Sequence, residues 1–281
     1  PPRSTLSTSS AASDVYKRQK RATSMMGVPT FYTRLLANEK LNNESAKHMR
    51  LFISGSAPLL SETHIEFEKR TGKKILERYG MTETNMNISN PYDGSRKAGT
   101  VGIPLPGIEI RIVNEEGKEV KVGQIGTIEL KGENIFKGYW GMEEKTKESF
   151  KDDGFFITGD LAKKDENGYF TIVGRDKDMI ISGGLNVYPK EIEDVINELP
   201  NITESAVFGV QHDDFGEAVV AAVVTSDDKN DDSQILDYTK DKIAKYKQPK
   251  KIIFMSNLPR NSMGKVQKNK LRENNKSLFK S

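Results

Sequence analysis

Cysteine is absent from this chain of 281 residues, which excludes a disulfide, a thiolate nucleophile and a metal site built on thiolates. Histidine is nearly absent, because only His48, His64 and His212 occur and they stand far apart. Scattered histidines are more often structural or surface residues than metal ligands. No apolar run approaches the ~20 residues of a membrane-spanning helix. These absences predict a soluble cytoplasmic protein that does not enter a membrane.

A strong charge of either sign is also lacking, since 43 lysines and arginines face 40 acidic residues and leave a net charge of +3. A balance this close gives no reason to expect nucleic acid or an anionic membrane surface as a partner. The basic C-terminal tail is therefore interpreted as a solvated surface. The length predicts about two domains.

The most distinctive stretch is the octet of residues 77–84, which follows the short apolar segment 74–76. The segment predicts a buried strand, and the octet is then expected to form the loop after it, where α/β proteins carry ligands. Gly80 allows backbone geometry closed to other residues. Thr82 and Glu83 offer oxygen ligands suited to Mg²⁺ and phosphate. The alternative is an ordinary polar loop after a core strand.

Around the octet, the pattern predicts a βαβ unit. Residues 49–54 read as a strand, residues 55–58 as a small-residue turn, and the next helix is expected from an N-cap at Ser61 to an end at Gly72. A short amphipathic helix is predicted before it, over residues 31–36. Residues 1–21 lack periodicity and are predicted to be a disordered or non-native leader.

The pattern of polar and apolar residues changes after residue 99. Segments of alternating polarity and the turn at Asn167 and Gly168 predict a small antiparallel sheet or barrel. Residues 22–174 are assigned to the first domain, 175–178 to a hinge and 179–281 to an α+β domain. That domain is expected to contain helices over residues 189–199 and 234–246, several strands and a basic C-terminal helix. The fold class is a mixture of α/β and α+β.

Five motifs occur in order along the chain, and together they are specific. They are Ser54-Gly55-Ser56-Ala57-Pro58-Leu59, Arg78-Tyr79-Gly80-Met81-Thr82-Glu83-Thr84, Thr158-Gly159-Asp160, Gly174-Arg175-Asp176-Lys177-Asp178 and Asn261-Ser262-Met263-Gly264-Lys265. This set resembles the adenylate-forming superfamily of acyl-CoA synthetases, luciferases and peptide-synthetase adenylation domains. The finer resemblance, through residues 77–94 and 259–268, is to malonyl-CoA synthetases.

The resemblance implies the C-terminal part of the family's N-terminal domain, with a βαβ portion and a small β-barrel-like subdomain, followed by an α+β lid domain. The family's phosphate-gripping loop with its lysine is missing before residue 22. The chain is therefore expected to be the C-terminal portion of a longer enzyme and to be inactive by itself.

The resemblance also implies ATP, Mg²⁺ and coenzyme A as the small molecules used. Lys265 is the expected catalytic cation, which bridges the substrate carboxylate and the α-phosphate, and Thr82 contacts phosphate. Glu83 is the expected Mg²⁺ ligand. Residues expected at ATP or AMP are Gly55, Ser56, Ala57, Glu77, Arg78, Tyr79, Gly80, Met81, Thr82, Asp160, Arg175 and Lys265. The alternatives are a surface lysine and a solvated loop.

Within that set, Asp160 is expected to bind the ribose with Arg175 as its partner, against the alternative of a turn acid and an interdomain salt bridge. Lys177 occupies the family's hinge position, where a plain linker is the alternative. The loop Ser182-Gly183-Gly184 is expected to line the coenzyme A tunnel. Arg78 is the candidate for the distal carboxylate of malonate, against a structural ion pair with Glu77 or another acid.

The sequence thus predicts an acid–thiol ligase that activates a carboxylate, malonate by the finer resemblance, with ATP and transfers it to coenzyme A. One alternative is a synthetase for another short or medium acyl chain. The other is a truncated module that binds nucleotide without catalysis. The oligomeric state is not predicted.

Overall fold

The computed structural model describes residues 22–226, 231–261 and 264–279. The predicted leader, and residues 262–263 of the lysine motif, lie outside the described residues. The chain divides into two compact units. The first holds the chain up to Met81 together with Met86–Gly102, and the second holds Thr82–Asn85 and the chain from Ile103 onward.

Both units contain helices and strands. The α-helices within the described residues are α1 (Pro29–Leu36), α2 (Asn43–Ala46), α3 (Ser61–Thr71), α4 (Glu143–Glu148), α5 (Pro189–Asn197), α6 (Asp232–Lys240) and α7 (Lys268–Asn274). The strands are β1 (Ser24–Gly27), β2 (Leu51–Ser54), β3 (Ile75–Met81), β4 (Asn85–Ser89), β5 (Ile103–Pro104), β6 (Glu109–Val113), β7 (Gly126–Lys131), β8 (Phe156–Lys164), β9 (Phe170–Arg175), β10 (Ile180–Ser182), β11 (Leu185–Val187), β12 (Ile202–His212), β13 (Gly216–Thr225) and β14 (Lys251–Phe254). No helix in the described ranges has the length and apolar character that crossing a bilayer requires.

In the first unit, strands β1 to β4 lie in that order in one sheet, and β1, β2 and β3 run parallel. Tyr32, Phe52 and Phe67 form its core with edge-to-face ring contacts. Helix α3 ends as predicted at Gly72, which takes the left-handed φ of 67°. The predicted N-cap is wrong by one residue. Leu60 has the extended backbone of the cap, without a side-chain cap bond, so Ser61 is already helical.

The octet is less of a loop than predicted, because β3 continues through Glu77 and Arg78 to Met81. The strand lies between β2 and β4, which keep its polar residues extended. Gly80 is thus a strand residue, and the loop shrinks to the turn over residues 82–84. Polarity alone suggested a loop, whereas sheet neighbours decide the backbone.

In the second unit, β6, β7, β8 and β9 form an antiparallel sheet in chain order. The predicted hairpin is confirmed at Gly168, whose φ is 81° and whose N–H donates to the carbonyl of Asp165. The barrel-like part of the prediction is wrong, because β6 and β9 are edges of an open sheet in the part of the chain described. Four strands are too few, since a barrel filled by side chains has about eight.

The remaining sheet of the second unit has the order β11-β10-β13-β12, with β14 parallel to β13. Helix α5 packs on it through Ile192 and Ile196, as the apolar spacing predicted. The next helix ends at Lys240 rather than at residue 246, which corrects the prediction. The Gln248 side chain donates to the carbonyl of Lys240, so the helix end is satisfied there. A 3-10 helix, Lys245–Lys247, follows.

Candidate functional site

The expected site residues are divided between the two units, and those of the first unit lie after β2 and along β3. Gly55 is buried, whereas Ser56 and Ala57 are exposed. Ser56 has a φ of 69°, which is costly for a non-glycine residue and typical of functional turns. A Cβ on Gly55 would lie 3.4 Å from both Cγ and the carbonyl oxygen of Arg78. The structure therefore brings Gly55 and Arg78 together.

Glu77 lies in the interior with 3% of its surface exposed. Its Oε1 accepts the backbone N–H of Leu59 at 2.9 Å, and its own carbonyl accepts the N–H of Asn90 at 3.0 Å. The carboxylate thus ties the turn after β2 to strand β3. A role for Glu77 at the nucleotide stays a prediction. In the structure, its carboxylate makes a structural hydrogen bond.

Arg78 is half-buried and its guanidinium contacts sulfur atoms. One terminal nitrogen lies against Sδ of Met86, and the other is 3.4 Å from Sδ of Met26. Among the described residues, no ion pair joins Arg78 to a carboxylate, and Glu77 points to the bond with Leu59 instead. The structural ion pair that was the alternative for Arg78 is therefore not found within the described ranges.

In the second unit, the turn that carries Thr82 and Glu83 is held by a segment about fifty residues further along. Tyr139 donates its hydroxyl to Glu83 Oε1 at 3.2 Å, and the backbone N–H of Phe136 donates to the Glu83 carbonyl at 2.7 Å. Asn134 donates its side-chain amide to the Thr84 carbonyl. Thr82 is exposed. The sequence did not predict these partners, because the residues in contact are far apart in the chain.

Glu83 is suited to bind Mg²⁺ in a site to which the protein contributes few ligands. Within the described ranges, no three His, Cys, Asp or Glu side chains gather to form a metal site. Mg²⁺ is commonly held by one or two carboxylates and substrate phosphates rather than by an all-protein cage. A half-buried carboxylate oriented by a neutral hydroxyl, beside the exposed Thr82, suits that arrangement.

Asp160 and Arg175 lie directly opposite each other on β8 and β9 and form an ion pair, with Nε 2.9 Å from Oδ1. Asp160 is 4% exposed, while the Arg175 side chain is 43% exposed. The backbone N–H of Asp160 donates to the hydroxyl of Thr158. Both residues belong to strands of one unit. The pair is thus a cross-strand contact, not the interdomain bridge or turn acid weighed from the sequence.

The hinge and coenzyme A candidates surround strand β10. Lys177 is exposed in the 3-10 helix Asp176–Asp178, and Asp178 pairs with Arg272 at 2.8 Å. Ser182 is buried at the end of β10. Gly183 and Gly184 are exposed and have φ values of 59° and 76°.

Lys265 is exposed on a tight loop. Its backbone N–H donates to the side chain of Asn261 at 2.9 Å, and its carbonyl accepts the Asn261 N–H at 2.9 Å. Arg260 donates to the carbonyl of Gly264 at 2.7 Å. These bonds fix the backbone while the lysine side chain extends into solvent, where it can meet a ligand.

Comparison with known families gives two matches, which follow each other along the chain. The profile of the AMP-binding enzymes matches residues 4–140, and that of the AMP-binding enzyme C-terminal domain matches residues 191–265. The first match includes most of the predicted leader. The resemblance drawn from the five motifs is confirmed by these matches.

Two curated relatives carry named substrates. The malonate–CoA ligase of Arabidopsis thaliana is 40% identical over 277 residues, covering 92% of this chain and 45% of that protein. A long-chain-fatty-acid–CoA ligase of Yersinia pestis is 36% identical over 252 residues, covering 89% of this chain and 45% of that protein. The chain thus spans about half the length of the relatives it matches.

A solved structure also matches. The crystal structure of ATP-bound MatB from Rhodopseudomonas palustris is 58% identical, with a TM-score of 0.92 over 95% of this chain and 54% of that chain. The predicted mixture of α/β and α+β elements with a C-terminal domain is confirmed by this match.

We expect the pKa of Tyr139 to lie above its ordinary value of 10.0, because burial disfavours the phenolate and the Glu83 carboxylate repels it. Stability from this neutral phenol is present below pH 10.0 and is lost as the pH rises through the folded pKa. The titration is measured as the phenolate absorbance that the parent shows with rising pH and that Tyr139→Phe lacks. Glu83→Gln should lower the pKa towards the ordinary value without reaching it, since burial remains. A midpoint at or below the ordinary value in the parent would contradict the assignment.

Proposed function

Because this chain belongs to the AMP-binding enzymes, we propose that the whole protein is an ATP-dependent acid–thiol ligase that converts malonate to its coenzyme A thioester. The carboxylate attacks the α-phosphorus of ATP, which gives an acyl-adenylate and pyrophosphate. The thiol of coenzyme A then attacks the acyl carbon and displaces AMP. A cytoplasmic location suits these substrates.

The first half-reaction needs positioned charge more than covalent help from the protein. Lys265, exposed on its tight loop, bridges the attacking carboxylate and the α-phosphate. Thr82 donates to a phosphate oxygen. Glu83, oriented by Tyr139, would hold Mg²⁺. The ion supplies neutralisation of phosphate charge when bound.

Nucleotide binding is assigned to both units. Asp160 accepts hydrogen bonds from the ribose hydroxyls, because one carboxylate can accept two hydrogen bonds, and the ion pair with Arg175 keeps that carboxylate oriented. The small residues after β2 admit the adenine and Tyr79 offers it a flat ring. Further residues assigned to this site are Gly55, Ser56, Ala57, Glu77, Gly80 and Met81.

The second half-reaction is assigned to the region around β10. Rotation of the backbone at the exposed Lys177 exchanges Lys265 for the loop Ser182-Gly183-Gly184. Two glycines with positive φ leave the loop without side chains there, so a narrow thiol-bearing arm can pass close to the backbone.

The malonate assignment is carried by the surroundings of Arg78. Its guanidinium is half-buried against methionine sulfurs, with no carboxylate in ion-pair contact among the described residues. A planar guanidinium binds a carboxylate with two parallel hydrogen bonds. The distal carboxylate of a dicarboxylic acid supplies that partner, whereas a fatty acid would place apolar chain against the cation. The malonate–CoA ligase relative supports the same substrate.

Substitution of Lys265 separates the two half-reactions. In the whole protein, Lys265→Ala should lower malonate-dependent pyrophosphate exchange by roughly a hundredfold or more, because a cation at the α-phosphate is lost. Thioester formation from supplied malonyl-adenylate should persist, since Lys265 serves only the first step. Lys270→Ala, an exposed lysine on α7, is the matched control. Equal losses in both half-reactions would contradict the assignment.

Substitution of Arg78 tests the acid and, with it, the proposed function. We expect Arg78→Ala to lower malonate-dependent pyrophosphate release by roughly 10- to 100-fold, the range of a charged hydrogen bond. Release with acetate or butyrate should be unchanged, and Arg34→Ala, an exposed arginine on α1, should match the parent. Equal losses for mono- and dicarboxylates would favour another acyl chain. No release with any acid from a folded protein would favour nucleotide binding without catalysis.

A further inference from the structure

The loop assigned to the coenzyme A thiol is fastened to the hairpin between β12 and β13. Ser182 pairs with Gly216, and the N–H of Gly183 donates to the carbonyl of Phe215 at 2.8 Å. One residue before the loop, the N–H of Ile181 donates to Oε2 of Glu217 at 2.8 Å. A side-chain carboxylate thus adds to the backbone contacts that hold the end of β10.

The loop needs such an external support. Gly183 and Gly184 are exposed and take positive φ values, and glycine has more backbone freedom than any other residue. A loop of this kind keeps one conformation only when its ends are fixed. The Glu217 carboxylate fixes the N-terminal end, because it accepts the hydrogen bond of the strand residue that leads into Ser182.

Gly209 on β12 makes the space for that carboxylate. A Cβ on Gly209 would lie 2.6 Å from Oε1 of Glu217 and 3.1 Å from Cγ2 of Ile180. Gly209 is not among the described glycines with positive φ, so its backbone does not call for glycine. The absence of a side chain at Gly209 leaves room for this carboxylate of β13, which lies against β12 and accepts a hydrogen bond from β10.

We propose that Glu217 is a positioning residue for the second half-reaction, which holds Ser182-Gly183-Gly184 in the conformation that accepts the thiol of coenzyme A. This inference rests on the proposed function. Loss of this positioning should affect only one of the two half-reactions. Displacement of the loop should impair thioester formation, while formation of the adenylate, which is assigned to Lys265, Thr82 and Glu83, should continue.

The test uses the whole protein and measures the two half-reactions separately. Glu217→Ala should raise the KM for coenzyme A, or lower the rate from supplied malonyl-adenylate, by roughly tenfold or more, since small displacements in a site are costly. Pyrophosphate exchange should stay within about twofold of the parent. Glu217→Gln keeps an acceptor oxygen and should restore most of the thioester rate. Gly209→Ala keeps the carboxylate but displaces it, so it should reproduce the Glu217→Ala defect.

Asp213→Ala, an exposed acid in the same hairpin turn, is the matched control and should behave as the parent. Proportional losses of both half-reactions in Glu217→Ala and Gly209→Ala would overturn the positioning role and leave a stability role. Unchanged thioester formation in both variants would overturn it as well. Absence of pyrophosphate exchange in the parent would instead overturn the proposed function, and this inference with it.

Discussion

The hydrogen bond from the Leu59 N–H to the buried Glu77 carboxylate is the contact on which the first unit's candidate site depends. It fastens the turn after β2 to the middle of β3. Adjacent strand residues point to opposite faces. With Glu77 turned inward, Arg78 takes the other face, beside Gly55 and the methionine sulfurs. One buried acid therefore sets the place of the cation that we assign to the substrate.

In the second unit, too, the charged candidate residues are held by specific partners. Asp160 is almost fully buried, and Arg175 on the neighbouring strand compensates its charge. Glu83 has a neutral hydroxyl partner instead, which leaves its negative charge available for a cation. The hydrogen bonds described for Lys265 are made by its backbone N–H and carbonyl, and its side chain is exposed. The contacts that hold Glu83 and Lys265 thus leave their charges available to a ligand, whereas Asp160 is paired with Arg175.

Local patterns in the sequence predicted the helix end at Gly72, the hairpin at Gly168 and the buried face of α5, because each depends on neighbouring residues alone. The error at Glu77 to Met81 arose because β2 and β4 keep a polar stretch extended, which no local pattern shows. The bond between Tyr139 and Glu83 joins residues 56 positions apart, so spacing could not reveal it. Five motifs in order identified the family where each motif alone could not.

The proposed function depends on the attack of a carboxylate oxygen on the α-phosphorus of ATP. It is tested most directly by supplying the whole protein with malonate labelled with heavy oxygen in both carboxylates, together with ATP and coenzyme A. If the carboxylate attacks the α-phosphorus, the released AMP carries one labelled oxygen per turnover and pyrophosphate carries none. Label in inorganic phosphate, with ADP as the nucleotide product, would show attack at the terminal phosphate and contradict the proposed function.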